Sequence, residues 1–520
     1  MSTPTTHSPV TQGADDADNS IQWCLLSHTN IGKTTLARTL LVDDVGEIQD
    51  AAHVTSQSQR YLLQSTAEGD RLWLWDTPGF GDSVRLYGRL QQQGNPLGWF
   101  LSNVWDRWRD KPFYMSQRAL LAARDHADVM LYLVNAAEDP ADAGYWDSEM
   151  RILQWMNKPV VVLLNQIGSD TTPAQTAADL ARWQKATASF DGTVRAVQVL
   201  DAFTRSWWHE RQVMESIAPL LPQAKQAAYQ RLLQEREQRQ QQRERASVQA
   251  MAQQLIEAAT LSETAPEQEG NLWQRAISLV TSKRKEGEPT PQEAATMQRV
   301  LQQLQQQDMV CTQTLLQLHQ LDGQAASQIQ EQLRAQIHIS TPFDTKAASL
   351  WGAVTAGAAT GLGADAMTGG LSLGAGALLG ALVGAVTFAG AAWGANKVFD
   401  QESQRFQLST DYLNALVAQV LLKYLAISHF GRGRGRYTSP TTPQQWHAAV
   451  QHTMAQRSAQ WLALWQALRA TPASAPASDN PGDISLGAHR QTLHILLEQS
   501  LQQVLQQLYP SLYRPTVTTA

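Results

Sequence analysis

Between residues 21 and 220, short apolar runs alternate with amphipathic stretches: Ile21–Leu26, Arg60–Gln64, Arg71–Trp75, Asp128–Val134, Pro159–Leu164 and Val194–Leu200. Runs this short, separated by helical patterns, predict buried strands of a sheet covered by helices on both faces. Ala67-Glu68-Gly69-Asp70 is a turn signal between the second and third runs, so those two are expected to pair as an antiparallel hairpin. The expectation is an α/β domain on a mixed, mostly parallel sheet of six strands, one per run.

Past residue 220 the period changes, and a mostly α-helical region is expected. Ala224–Ala259 is rich in Gln, Arg and Glu, and Gln234–Arg245 has no apolar residue. It reads as a solvated helix held partly by pairs such as Glu235 with Arg239. Glu263–Glu288 reads as loop-rich around one short helix, with a basic patch at Lys283-Arg284-Lys285. A new helix is predicted from Thr290-Pro291-Gln292-Glu293, with Thr as cap and Pro at the first helical position, and helical pattern continues to about Ile339. Phe406–His429, Gln444–Arg469 and Gly487–Tyr509 are each expected as a helix.

Ala347–Asn396 stands apart as a Gly/Ala-dominated tract with a single charge, Asp365. Gly369–Asn396 is long enough to span a bilayer, and Gly376, Gly380 and Gly384 form a face that allows close helix contact. Trp351 and Trp393, flanked by Lys346 and Lys397, would sit as interfacial anchors. Gly and Ala give little transfer energy, however, so a tightly packed hairpin inside a soluble bundle is the competing reading. Gly431-Arg432-Gly433-Arg434-Gly435-Arg436 reads as a solvated loop or as a contact for lipid phosphate or RNA. The division expected is a polar tail over 1–20, the α/β domain over 21–220 with an insertion at 94–116, a helical region over 221–345, the apolar tract over 346–398 and a helical C-terminal domain over 399–520.

Composition narrows the class. A formal net charge of −6 disfavours a protein that coats nucleic acid by bulk electrostatics. The two cysteines, Cys24 and Cys311, are far apart and without metal-ligand spacing, as expected in a reducing compartment. Met1–Asn19 is polar and has no basic stretch followed by an apolar one, so a cytoplasmic location is expected, with the inner membrane as a site of association.

The chemistry lies in four segments. Ser27-His28-Thr29-Asn30-Ile31-Gly32-Lys33-Thr34 follows the first strand and opens a helix at Thr35, with Ser where the P-loop pattern has its first Gly. Small residues there let backbone N–H groups turn toward phosphates. Lys33 supplies a positive charge near the β/γ-phosphates and Thr34 a Mg²⁺ ligand, while a helix N-terminus faces the anion. Asp76-Thr77-Pro78-Gly79 follows the strand Leu72–Trp75, placing a carboxylate for Mg²⁺ and a glycine N–H for the γ-phosphate. Asp43–Gln59 lies where a first switch loop would run. Thr55 is its expected Mg²⁺-closing residue, with Ser56 or Ser58 as competitors.

With these motifs the sequence resembles the Era/TrmE-like GTPases, and more closely a bacterial family that fuses such a domain to a helical C-terminal domain of unknown function. The resemblance covers Ile21–Leu220. It implies slow, Mg²⁺-dependent GTP hydrolysis carried by Lys33, Thr55 and Gly79 in a nucleotide-controlled switch, which the apolar tract would place at or near the membrane. The family's base motif, Asn-Lys-x-Asp, stands here as Asn165-Gln166-Ile167-Gly168. Gly168 has no carboxylate for a guanine edge, so Asp170 or backbone groups would have to serve. Leu200-Asp201-Ala202 stands where the last nucleotide motif would fall, so the resemblance assigns Asp201 and Ala202 to the base. Phe80 replaces the Gln that orients water in Ras-type enzymes. Asn30 stands at the position that accompanies a potassium ion in TrmE and Era relatives, so K⁺ stimulation is implied.

The insertion puts Leu97, Phe100, Leu101, Val104, Trp105 and Trp108 on one helical face, for packing on its own chain or for a partner or membrane surface. Partners expected are guanine nucleotide (GTP/GDP), inner-membrane lipid or a membrane protein, and a second copy through the G domain or the C-terminal helices. An Era-like RNA- or ribosome-associated factor and a non-hydrolysing structural pseudo-GTPase are the alternatives. The first is disfavoured because no KH Gly-x-x-Gly module is recognisable.

Overall fold

The computed structural model describes residues 19–42, 58–102, 111–167, 171–264, 291–321, 405–408, 410–431, 444–470 and 484–513. They divide into two compact units: the described residues within 1–242, 428–439 and 509–520 form the first, and those within 243–427 and 440–508 the second.

The first unit is built on β1 (Ser20–Ser27), β2 (Gln59–Ser65), β3 (Arg71–Asp76), β4 (Val129–Asn135), β5 (Val160–Asn165) and β6 (Val194–Val199). Their order is β2-β3-β1-β4-β5-β6. The β2–β3 hairpin is antiparallel and every other pairing is parallel. The turn of that hairpin is secured by a buried carboxylate. Asp70 accepts the Thr66 hydroxyl at 2.8 Å and both arms of Arg231, at 2.6 and 2.7 Å.

The helices of this unit are α1 (Lys33–Leu41), α2 (Ser83–Leu90), α3 (Pro96–Ser102), α4 (Lys111–His126), α5 (Trp146–Gln154), α6 (Pro173–Thr187) and α7 (Trp207–Ile217). Two apolar layers flank the sheet. Ile21, Trp23 and Leu25 of β1 pack with Leu36, Leu74 and Met214 on one face, and Cys24 and Leu26 with Tyr132, Leu164 and Trp183 on the other. With both faces covered, nearly every side chain of β1, β3, β4 and β5 is buried, which is why these strands read as apolar runs and not as an alternation.

Helix α8 (Gln223–Thr260) contributes residues 223–242 to the first unit and 243–260 to the second. The polar run within it is less solvated than expected. Arg236 donates to the buried Glu210 at 2.7 Å and Glu244 is itself buried, although the expected Glu235–Arg239 pair does form.

The second unit holds β7 (Ser262–Thr264), α9 (Pro291–Leu318), β8 (Arg405–Gln407), α10 (Thr410–Ser428), α11 (Gln444–Gln456), α12 (Ser458–Ala470) and α13 (Ile484–Leu508). Three expectations need correction here. Residues 263–264 are strand and not loop, and the helix expected from Phe406 starts only at Thr410, because Arg405–Gln407 pairs antiparallel with Ser262–Thr264. The helix expected over Gln444–Arg469 is broken at Arg457, whose guanidinium reaches Gln499 and Gln503 of α13. Within this unit Lys423 and Asp308, both buried, pair at 2.5 Å, and Gln254 donates to the same carboxylate oxygen at 3.0 Å.

Among the described residues no helix is long and apolar enough to cross a membrane. The Gly/Ala tract over 347–396, the basic patch at 283–285 and the arginines of 432–436 lie outside the described residues, as do Thr55, Ser56, Gly168, Asp170, Val104, Trp105 and Trp108.

Candidate functional site

The loop after β1 turns through two residues of positive φ, Asn30 at 64° and Gly32 at 98°, before α1 begins at Lys33. Asn tolerates this left-handed backbone. At Gly32 an added Cβ would also meet the Asn165 amide nitrogen at 2.9 Å. No side chain caps α1, whose N-terminus opens directly from this loop.

Lys33 is buried, and its Nζ donates to Ser27 Oγ at 2.8 Å. Burial draws its ammonium down to about 8, against the attraction of Asp76 and Glu149. Thr34 Oγ1 donates to Asp76 Oδ2 at 2.7 Å, which brings the two expected Mg²⁺ ligands together. The other oxygen, Asp76 Oδ1, is buried without a hydrogen-bond partner among the described residues. Burial pushes this carboxyl above its usual range, with the Thr34 hydroxyl and the Lys33 charge opposing. A hydroxyl and an unsatisfied buried carboxylate oxygen are hard donors that suit a Mg²⁺ ion.

Beyond Asp76, Thr77 donates to Leu25 O at 2.6 Å and Pro78 is buried. Gly79 presses on the loop so closely that a Cβ would meet Thr29 Cα at 2.9 Å and Lys33 Nζ at 3.0 Å. Phe80 N donates to Ser27 O at 2.9 Å and the Phe80 ring is fully buried, so this position presents no polar group.

On the other side of the loop, Asn165 at the end of β5 is fully buried and ties three segments together. Its Nδ2 donates to Ile31 O at 2.7 Å and its Oδ1 accepts from Ala202 N at 2.8 Å. Gln166, at a φ of 58°, donates to Ile31 O at 3.3 Å. Asp201 is buried and accepts the N–H of Phe203 at 3.0 Å, and Ala202 O accepts the Thr39 hydroxyl at 2.7 Å.

Of the sequence-predicted residues, Ser27–Thr35 and Asp76–Gly79 gather at the carboxyl ends of β1 and β3. Asn165, Gln166, Asp201 and Ala202 line the adjacent ends of β5 and β6. This is the crevice where open α/β sheets take ligands. Ser58, one competitor for the switch position, donates to Arg118 O at 3.4 Å. Sequence reasoning missed the brace behind His28. Its Nδ1 lies 2.7 Å from Glu149 Oε1 on α5, and its ring stacks on Tyr145 at 4.3 Å. A lone Glu in a helix carries no signal that it will be buried.

The model described as 50S ribosome-binding GTPase (MMR_HSR1) matches residues 23–166, and the domain of unknown function DUF3482 matches residues 190–499, more than half of the chain. The chain belongs to the DUF3482 family. Like the resembled family, this DUF3482 protein joins an N-terminal P-loop GTPase domain to a helical domain of unknown function. No curated protein matches the chain.

Solved structures that the DUF3482 chain is similar to include Era in complex with MgGDPNP and a 16S ribosomal RNA fragment, and an Aquifex aeolicus Era variant bound to GDP and aluminium fluoride. Each shows 17% identity over 39% of this chain and 57% of that one, with a TM-score of 0.30. The chain thus spans little more than half the length of these Era chains. A structure of the chloroplast translocon components atToc33 and psToc159 matches at 13% identity over 35% of this chain and 70% of that one, with a TM-score of 0.23.

Proposed function

We propose that residues 21–220 bind GTP and GDP with Mg²⁺ and hydrolyse GTP slowly, so that the protein works as a nucleotide-controlled switch. The observation that carries this reading is the joint position of Lys33 and the Thr34–Asp76 pair at one loop, with Asp76 Oδ1 buried and without a hydrogen-bond partner among the described residues. Ser27–Thr35 would cradle the phosphates, with Lys33 meeting the β/γ-phosphates. Thr34 and Asp76 would hold Mg²⁺, joined by Thr55 in the triphosphate state. When bound, Mg²⁺ neutralises charge on the phosphate oxygens.

The Gly79 backbone, pressed against Thr29, would offer its N–H to the γ-phosphate. Phe80 contributes no group that could orient water, which supports a basal rate of roughly 10⁻⁴–10⁻² s⁻¹. Asn30, exposed and left-handed, would help hold a potassium ion. Asn165, Gln166, Asp201 and Ala202 would frame the base, with guanine preferred.

The test is titration of the full chain with mant-labelled GDP. Lys33→Ala and Thr34→Ala are expected to abolish binding while the circular dichroism spectrum stays native. Wild-type affinity in either variant would overturn the phosphate assignment.

A further inference from the structure

The loop between β6 and α7, residues 200–206, would form the base side of the nucleotide site in the reading above. Two late segments of the chain belong to the same compact unit as this loop, residues 428–431 and 509–513. His429–Gly431 meets it through one isolated bridge. Arg205 N donates to His429 O at 3.0 Å, and Thr204 forms an antiparallel bridge with Phe430.

Gly431 approaches so closely that an added Cβ would stand 2.2 Å from Ala202 O and 2.7 Å from the Phe203 carbonyl carbon. No real Cβ tolerates such distances to backbone, so only glycine fits without displacing the loop. This segment is held in turn from behind. The His429 ring stacks parallel on Tyr509, at 5.7 Å between centroids, and Tyr513 meets Trp208 edge-on at 4.9 Å. Arg205 is tied at its far end to Glu210 at 2.6 Å.

The loop's inner side leads to the phosphates. Ala202, on which Gly431 rests, is bonded through its N–H to Asn165 and through its carbonyl to Thr39 of α1, and Asn165 grips the Ile31 carbonyl. Backbone atoms of residues 202 and 203 thus lie between His429–Gly431 and the base side of the site.

We propose that Gly431 is a positioning residue for this site: with His429 it fixes the Ala202–Phe203 backbone and thereby sets how tightly the nucleoside half of the ligand is held. The phosphate half, gripped by Lys33 and α1, is reached from Gly431 only through the Asn165 and Thr39 bonds and changes less. The inference rests on the nucleotide reading above and extends it to a segment more than 200 residues away in sequence.

The test measures the two halves separately in the full chain. Release of mant-GDP is followed by stopped flow, and binding of inorganic tripolyphosphate with MgCl₂ by calorimetry. Gly431→Ala is expected to speed mant-GDP release at least tenfold and to leave tripolyphosphate affinity within about twofold of wild type. His429→Ala, which keeps the backbone bridge and loses the ring stack on Tyr509 together with the Ser428 Oγ contact at 3.0 Å, is expected to speed release about threefold and carries the test should Gly431→Ala fail to fold.

A parallel loss of both ligands in the folded variants would mean a merely structural role and would overturn the proposal, as would unchanged release. If wild-type protein binds tripolyphosphate but no GDP, the base-side assignment fails. If it binds neither, the nucleotide reading itself fails, and this inference with it.

Discussion

His28 Nδ1 and Glu149 Oε1 lie 2.7 Å apart, joining the phosphate-side loop to a carboxylate with no solvent exposure. The other oxygen of Glu149 accepts the Tyr132 hydroxyl at 2.5 Å, so this carboxylate is satisfied entirely from within the protein. The first prediction follows from that dependence. His28→Ala strips one partner from a buried acceptor and should cost about 1–3 kcal/mol in chemical denaturation. Adding Glu149→Gln to it should recover part of the loss, since a neutral amide is cheaper to leave half-paired. If the double variant is as unstable as the sum of the singles, the two residues are not coupled.

The second prediction concerns Lys33, whose ammonium burial lowers to about 8. Phosphate binding favours the charged form, so above that pH the ligand must draw a proton in before it is held. Affinity for mant-GDP should be flat from pH 6.5 to 7.5. It should then fall as pH passes 8, approaching tenfold per unit. A titration series with constant affinity through pH 9 would contradict the buried lysine's role.

Glu244 makes a pH prediction of opposite origin, in the second unit. Burial first, then the neighbouring Glu498, raise its carboxyl from 4.5 to about 7, with Arg245 partly opposing. Between those values the folded chain holds a proton that the unfolded chain has released. The stability involved is therefore fully present below pH 4.5 and is lost as pH rises through 7. The whole effect is at most about 3 kcal/mol. Glu244→Gln should flatten the decline, so the variant gains on wild type at pH 8 and not at pH 4.5. Parallel urea midpoints for the two proteins at both pH values would rule this out.

Asn30 supports a fourth. If a potassium ion completes the site beside it, replacing KCl with NaCl should slow GTP turnover several-fold, and Asn30→Ala should remove the difference between the salts. Turnover is read as released phosphate at matched ionic strength. Equal rates in the two salts would leave K⁺ no part in the reaction.

The six strands, the edge hairpin and the phosphate-side loop were legible from the sequence because their determinants are local. Apolar runs bounded by turns dictate buried strands, and Gly32-Lys33-Thr34 and Asp76–Gly79 carry their chemistry in residue type and spacing. What lay beyond local reading depended on partners distant in the chain. The break at Arg457 follows a contact with α13, and the strand at Arg405–Gln407 follows its pairing with Ser262–Thr264. The burial of Glu149 and Glu244 in helices that read as amphipathic or solvated was equally hidden, since periodicity ranks faces and does not say which polar residue a neighbouring element will cover. Gly431 shows the same limit most sharply. In sequence it opens a Gly/Arg run that reads as a loop, and only the fold sets its Cα against the Ala202 carbonyl, where the absence of a side chain becomes a requirement.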